Sequence, residues 1–336
     1  MRVLERLAAL YAIGGGPGAN RPHGSPAEDE AFELAAGWMR EAGLSVDVDP
    51  DGNLVGRSGV RADVWTGSHL DTVPQGGRFD GALGVVAGIE AVEGVGAGSV
   101  VVFRGEEVGC VGSRAFSARG GSLPSAFLEL HVEQGPVLEQ AGAPLGLVTG
   151  IVGYARGELV LEGRAGHAGT TPMTLRDDAL VAAAGEILRV REAGSAIDGC
   201  VATVGKVEVE PGGVNVIPSR VRLSLDVRAP DSARLDALIE TIGFEPTQRV
   251  EPVRLEGAAR TALRDAIAER GLDVVELSSG AGHDAGILAA AGVDAAMLFV
   301  RSRNGGISHS PDELSSDEDV ALATDVLEAA LRRLVG

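Results

Sequence analysis

Aromatic side chains are scarce: Phe, Trp and Tyr together make up 3% of the 336 residues. The core expected from such a chain is aliphatic, built from Val, Leu, Ile and Ala. Lysine is scarcer still. Lys206 stands alone against a basic complement otherwise made of arginine, and acidic residues outnumber basic ones to leave a net charge of −19. A surface of that sign repels phosphate backbones, which argues against a nucleic-acid partner. Cysteine occurs only at Cys110 and Cys200, far apart and outside any CxxC spacing. Both are expected as small buried hydrophobes, not as a disulfide or a thiolate metal site. No apolar run reaches the ~20 residues of a membrane span. The opening MRVLERLAALYAIGGG carries charge inside its apolar stretch and has no cleavage-site pattern, so it is expected as a short amphipathic helix and not a signal peptide. These absences point to a soluble, cytoplasmic protein without a membrane partner.

Hydrophobic residues make up 45% of the chain and glycine contributes 49 positions. A sizeable core with many tight turns follows. Ser25-Pro26-Ala27-Glu28 forms a capping box with Pro at the first helical position, predicting a helix to about Arg40 that ends at Gly43. Two short strands flank the turn Asp51-Gly52. A strand over 62–66 runs into Gly67-Ser68-His69-Leu70-Asp71, and 81–92 is small and apolar at helical spacing. Strands are expected at 99–103 and 125–132. Alternating helices and apolar strands predict an α/β sheet with helices on both faces.

The pattern changes near Gly153. Strands are expected over 155–162, 201–210 and 221–227, with helices over 173–191 and 232–242. That order suggests an inserted α+β unit resembling a ferredoxin-like sandwich over 154–252. The α/β pattern resumes with a helix at 258–270, strands at 273–277 and 295–300, and a closing helix from about Ser316. The first domain is thus expected to be discontinuous, 1–153 with 253–336.

The unusual polar residues fall where strands end, where open α/β sheets bind ligands. A lone histidine is usually a structural group. Five of the six here stand in polar, glycine-rich contexts, and only His23 does not. In His69-Leu70-Asp71 the aspartate can accept the second ring N–H of the histidine and fix its tautomer. Asp80, before Gly81 at the mouth of a small-residue helix, can reach two metals at once; taken alone it could equally cap that helix. Glu106-Glu107 follows the strand SVVVF. One glutamate can ligate while the other accepts a proton from activated water, a division that metal-assisted hydrolysis requires. His131 ends AFLELHV, and His309 lies in GGISHSPDE. Three imidazoles and two carboxylates suit Zn²⁺ or Mn²⁺.

The strings GSHLDTVPQGGRFDGALGV, EEVGCVGSRAF, LELHVEQGPVLE, GHAGTTPM, GGVNVIPS, LDVR, GAGHDA and GISHSP stand in this order between about residues 52 and 312. Together they resemble the amidase/hydantoinase/carbamoylase branch of the dinuclear metallo-aminoacylase and carboxypeptidase superfamily, whose members include N-carbamoyl-L-amino-acid hydrolases, allantoate amidohydrolases and β-ureidopropionases. HVEQGP and GHAGTTPM point to this branch, since peptidase members usually carry an acidic residue where His131 stands. The resemblance implies a metallopeptidase-like catalytic domain with an inserted dimerisation domain, and two divalent ions per subunit drawn from Zn, Mn, Co or Ni. It implies that His69 and His131 hold one ion, that Glu107 and His309 hold the other and that Asp80 bridges them. Asp71 orients His69, and Glu106 is the base toward a metal-activated hydroxide attacking a ureido carbonyl.

For the inserted domain the resemblance implies that Arg228 clamps the substrate carboxylate and that Asn215 binds the same end. The resemblance further implies that His167 stabilises the oxyanion from the partner subunit of a homodimer. Gln134 and the Gly280–Asp284 loop, with Gly282 at its centre, line the pocket. Three departures stand out. The N-terminal region and the stretch around Gly94–Gly98 are short, Gly105 stands before the glutamate pair where the family more often has Asn, and SRNGGISHSP carries an apparent extra residue. The expected activity is hydrolysis of a linear, non-peptide C–N bond in an N-carbamoyl or ureido acid. A dipeptidase or aminoacylase on the same scaffold is the nearest alternative, and a non-catalytic metal or small-molecule binder a more distant one.

Overall fold

The computed structural model describes residues 2–336. Its contacts divide into two compact units, the chain up to Ile151 together with Arg254–Gly336, and Val152–Val253.

In the first unit the sheet order is Ser45–Val48, Leu54–Arg57, Ser99–Phe103, Val64–His69, Ala126–Val132, Asp294–Val300 and Leu145–Ile151. The four strands from Ser99–Phe103 to Asp294–Val300 run parallel, while the outer ones pair antiparallel. The parallel strands are buried almost throughout, as strands covered on both faces must be. Their carboxyl ends coincide, so residues 69, 104–107, 131 and 301–309 emerge on one edge.

One face is aliphatic. Leu7, Leu10, Met39, Val85, Ile89, Leu128, Leu298 and Leu327 join the helices Arg2–Ala12, Pro26–Glu41, Ala82–Val95, Ala258–Ala268 and Asp317–Val335 to the sheet. The other face departs from the aliphatic core expected from composition. Phe103, Phe116, Phe127, Phe299 and Trp65 pack there with Met297 and Leu288, and ring centroids lie 5.2–6.2 Å apart. Aromatics are few, but each buries a large area, so concentrating them under short helices fills space that Val and Ala could not.

Local signals account for several boundaries. Ser25 caps the helix Pro26–Glu41 by accepting from the Glu28 N–H, and Glu28 reaches back to the Gly24 N–H at 2.7 Å. Ser316 caps Asp317–Val335, whose first turn is acidic and last turn basic, matching the helix dipole. Cys110 is buried, Cys200 is half-buried, and both thiols are free. Some expectations shift. The strand near residue 275 forms at Glu276–Ser279, and Leu145–Ile151 is an additional strand.

The second unit runs strand, helix, strand, strand, helix, strand: Gly153–Glu162, Ala179–Ala196, Val201–Glu210, Arg220–Ala229, Ser232–Ile242 and Pro246–Val250. Its antiparallel sheet has Gly153–Glu162 and Arg220–Ala229 at the centre, the ferredoxin-like arrangement. Strict alternation along Arg220–Ala229 turns Val221, Leu223, Leu225 and Val227 onto the helices. The first helix starts six residues later than expected. Met173–Leu175 is a 3₁₀ turn, and Asp178 supplies the cap by accepting from the Leu180 and Val181 N–H groups. Among the described residues no helix is long and apolar enough to cross a membrane.

Candidate metal centre

The site begins at the end of Val64–His69. Gly67 has φ +151°, and a Cβ there would strike the Val101 carbonyl, so only glycine lets the two parallel strands close at this point. His69 then points into the edge formed by the strand ends. Its Nδ1 meets the Asp71 carbonyl oxygen at 3.1 Å and the Asp71 carboxylate at 3.5 Å. The Asp71 carboxylate also accepts from the Glu106 and Glu107 N–H groups, at 3.1 Å each. One aspartate thus sets the tautomer of a ring and the bend that presents both glutamates.

Asp80 lies at the centre. Its Oδ1 is 3.1 Å from His131 Nε2 and 3.6 Å from His69 Nε2. Its Oδ2 is 3.3 Å from His309 Nε2, which in turn is 3.3 Å from Glu107 Oε2. Asp80 does not cap the following helix through its side chain; Gly81 occupies that position at φ +63°. A Cβ on Gly81 would press into the His69 ring, so the glycine lets helix and ring approach.

These contacts form two groups, His69–Asp80–His131 and Asp80–Glu107–His309, each with ligand atoms within 4.8 Å of one another and sharing Asp80. His69 Nε2 and His131 Nε2 are buried with no hydrogen-bond partner. His131 Nδ1 is already satisfied by the Val132 carbonyl at 2.9 Å. Two imidazoles with their outer nitrogens engaged and their inner lone pairs orphaned are arranged as neutral ligands for a cation. The donor set fits a divalent metal.

The electrostatics agree. Burial pulls the His69 pKa down, yet Glu106, Asp71 and Asp80 outweigh it and hold it well above the usual value. Burial would raise Asp80, but His131, His309 and His69 hold it well below the carboxylate range. Hydrogen bonding to Asp80 lifts His309 to about 8. Burial lifts Glu106 well above its usual range; Glu107 is also raised, by burial and then by Asp80. The cage is a concentrated negative field in need of positive charge.

Glu106 belongs to neither group. Its Oε2 lies 3.8 Å from His69 Nε2 and its Oε1 3.8 Å from His283 Nδ1. His283 is buried, wedged edge-on against His131 and Phe299, and its Nε2–H donates to Ser279 Oγ at 2.9 Å, since that hydroxyl gives its own proton to the Ala281 carbonyl. Burial and the neighbouring His131 push its pKa well down, keeping the ring neutral. Sequence reasoning placed its loop at the pocket but gave this ring no role. Gly282 is exposed, with open space where a Cβ would stand. The Gln134 side-chain amide donates to Asp80 Oδ2 and Ser308 Oγ, each at 3.0 Å.

Four further buried groups received no role of their own in the sequence reading. Glu129 accepts from Ser68 Oγ and the Ala285 N–H. Asp284 accepts from Ser113 Oγ at 2.6 Å and is raised to about 8 by burial and then Glu129. Glu313 accepts from the Phe79 and Asp80 N–H groups. Arg21 is buried and donates to the Leu70 and Leu10 carbonyls; burial lowers it to about 10.

His167, Asn215 and Arg228 lie in the second unit. His167 and Asn215 are brought together on a short ribbon, where Val216 pairs with His167 and the Ala168 N–H donates to the Asn215 carbonyl at 3.0 Å. Both side chains are exposed. Arg228 is partly buried, and its guanidinium donates to both oxygens of Asp226, at 2.8 and 3.2 Å.

The family described as Peptidase family M20/M25/M40 matches residues 65–333. An N-carbamoyl-L-amino acid amidohydrolase of Geobacillus stearothermophilus is 38% identical over 97% of this chain and 96% of its own. Allantoate deiminase 1 of Glycine max is 32% identical over 94% of this chain and 86% of its own. A crystal structure of an amidase of the hydantoinase/carbamoylase family from Burkholderia multivorans superposes with a TM-score of 0.92. It is 31% identical, with 99% of this chain and 97% of that one covered.

Proposed function

Since the chain belongs to peptidase family M20/M25/M40, in its amidase, hydantoinase/carbamoylase branch, we propose that it hydrolyses the linear, non-peptide C–N bond of an N-carbamoyl or ureido acid. It is an amidohydrolase, and divalent metal serves its chemistry. The observation that carries the reading is Asp80, whose two oxygens face two separate ligand groups.

Charge supports two ions per subunit, drawn from Zn, Mn, Co or Ni. Asp71, Asp80, Glu106 and Glu107 bring four negative charges, which two divalent cations offset. We assign His69 and His131 to one ion, Glu107 and His309 to the other, and Asp80 to both. Bound there, the metal would lower the pKa of water and polarise the scissile carbonyl. Glu106, outside both ligand groups, takes a proton from the attacking water and delivers it to the leaving nitrogen. Asp71 keeps His69 and the glutamate bend in place.

The substrate assignments rest on motif resemblance. Arg228 takes the substrate carboxylate as a fork in place of Asp226, and Asn215 binds the same end. His167 faces the developing oxyanion from a partner subunit, so the working form is a homodimer built through the second unit. Gln134 and Gly282 border the ureido group. Cytoplasmic location follows from the sequence reading. The test is ammonia release by metal-loaded protein from a panel of N-carbamoyl-L-amino acids and allantoate. Turnover of at least one supports the reading, and no turnover of any contradicts it.

A further inference from the structure

Glu313 is buried, at 5% exposure, in the segment that follows His309. Its Oε2 accepts from two successive main-chain groups, the Phe79 N–H at 2.9 Å and the Asp80 N–H at 3.2 Å. Its Oε1 faces Ser308 Oγ at 3.4 Å. Ser308 Oγ accepts from the Gln134 amide, which also donates to Asp80 Oδ2. The contacts close a ring from the Asp80 main chain through Glu313, Ser308 and Gln134 back to the Asp80 side chain. The ring has a cleared seat, since a Cβ on Gly77 would land on the Glu313 carboxylate. Gly77 has no left-handed φ, so its lack of a side chain serves space and not backbone conformation.

We propose that Glu313 is a positioning residue for the shared ligand Asp80, tying the turn that carries Asp80 to the loop that carries His309 so that both halves of the metal centre are set together. The inference rests on the dinuclear reading above. A carboxylate whose two oxygens must face two cations tolerates little rotation, and its main chain is fixed here by an acceptor that belongs to the opposite half-site. A buried acid that only stabilised the fold would have no reason to contact both halves.

The experiment is calorimetric titration of metal-free protein with Mn²⁺, alongside its melting temperature without metal. Glu313→Gln keeps the shape and an oxygen for the Phe79 and Asp80 N–H groups, but puts an amide donor where Oε1 accepts from Ser308 Oγ. It is expected to weaken Mn²⁺ uptake by about 10–100-fold while the metal-free melting temperature stays within about 4 °C of wild type. Gly77→Ala, which displaces the carboxylate without altering it, should do the same. With Asp80→Asn already in place, adding Glu313→Gln should cost no further affinity. If either single variant folds and binds Mn²⁺ as tightly as wild type, the proposal is overturned. Should both variants fail to fold, Ser308→Ala removes only a hydroxyl from the ring, and unchanged affinity there overturns it equally. A wild-type protein that takes up no Mn²⁺, Zn²⁺ or Co²⁺ would sink the dinuclear reading itself, a different result from a wild type that binds and variants that match it.

Discussion

Asp284 shows how far burial reaches around the metal centre. Its carboxyl is raised from 3.8 to about 8, by burial first and by Glu129 second. A folded-state pKa above the unfolded one means that the native form holds the proton more tightly. The stability this confers is complete below about pH 4 and is lost as the pH rises through about 8. Asp284→Asn removes the titration but keeps an acceptor for Ser113. The melting temperature of metal-free wild type should therefore fall more steeply than that of Asp284→Asn over this range; parallel curves would contradict the assignment. For Glu106→Gln the expected result is full metal content with activity lower by about 10²–10⁴-fold, checked by metal analysis and initial rates on one sample. At this scale the sequence was informative where chemistry was concentrated in short strings. His69, Asp71, Asp80, Glu106, Glu107 and His131 could be singled out because strand ends and glycines surround them. Glu313 could not, because its partner Phe79 lies 234 residues away and nothing near it in the chain marks the contact. Arg21 was equally silent, being an ordinary arginine until the Leu70 and Leu10 carbonyls enclose it.

Among the elements, helices were legible through their caps. Ser25 and Ser316 start their helices by hydrogen bonds that are written locally. Asp178 was equally well marked, yet the apolar Met173 and Leu175 extended the helical pattern past it. Leu145–Ile151 was missed because its partners lie in residues 276–279 and 298–300, and pairing of that kind outweighs local preference. The helix Ala82–Val95 makes the sharpest element-level prediction. A Cβ on Gly84 would strike the Leu130 carbonyl and approach Ser68 Cβ at 2.7 Å. Gly84→Ala should push the helix off the sheet and cost about 1–3 kcal/mol by denaturant unfolding. Because Asp80 immediately precedes this helix, metal affinity should fall with it. A variant as stable as wild type would show that helix and sheet have slack here.

For the whole molecule, sequence pattern distinguished an α/β unit from an α+β unit by the change from short buried strands to long alternating ones. What it could not supply was which side chains meet across the carboxyl edge of the sheet, since register and crossover geometry decide that. The proposed homodimer makes a prediction at this scale. Mixed His167→Ala and Glu106→Gln subunits, each inactive alone, should regain part of the activity in hybrid dimers if His167 acts across subunits. No recovery after demonstrated subunit exchange would remove His167 from the shared site. The central claim is that this metal centre serves ureido bonds and not peptide or acyl-amino bonds. The most direct measurement compares kcat/KM of one metal-loaded sample on N-carbamoyl-L-amino acids and allantoate with that on N-acetyl amino acids and dipeptides. The account predicts ammonia release from a ureido acid with peptide and acetyl substrates slower by about 10²-fold or more; efficient cleavage of dipeptides or N-acetyl amino acids, with the ureido acids untouched, would contradict it.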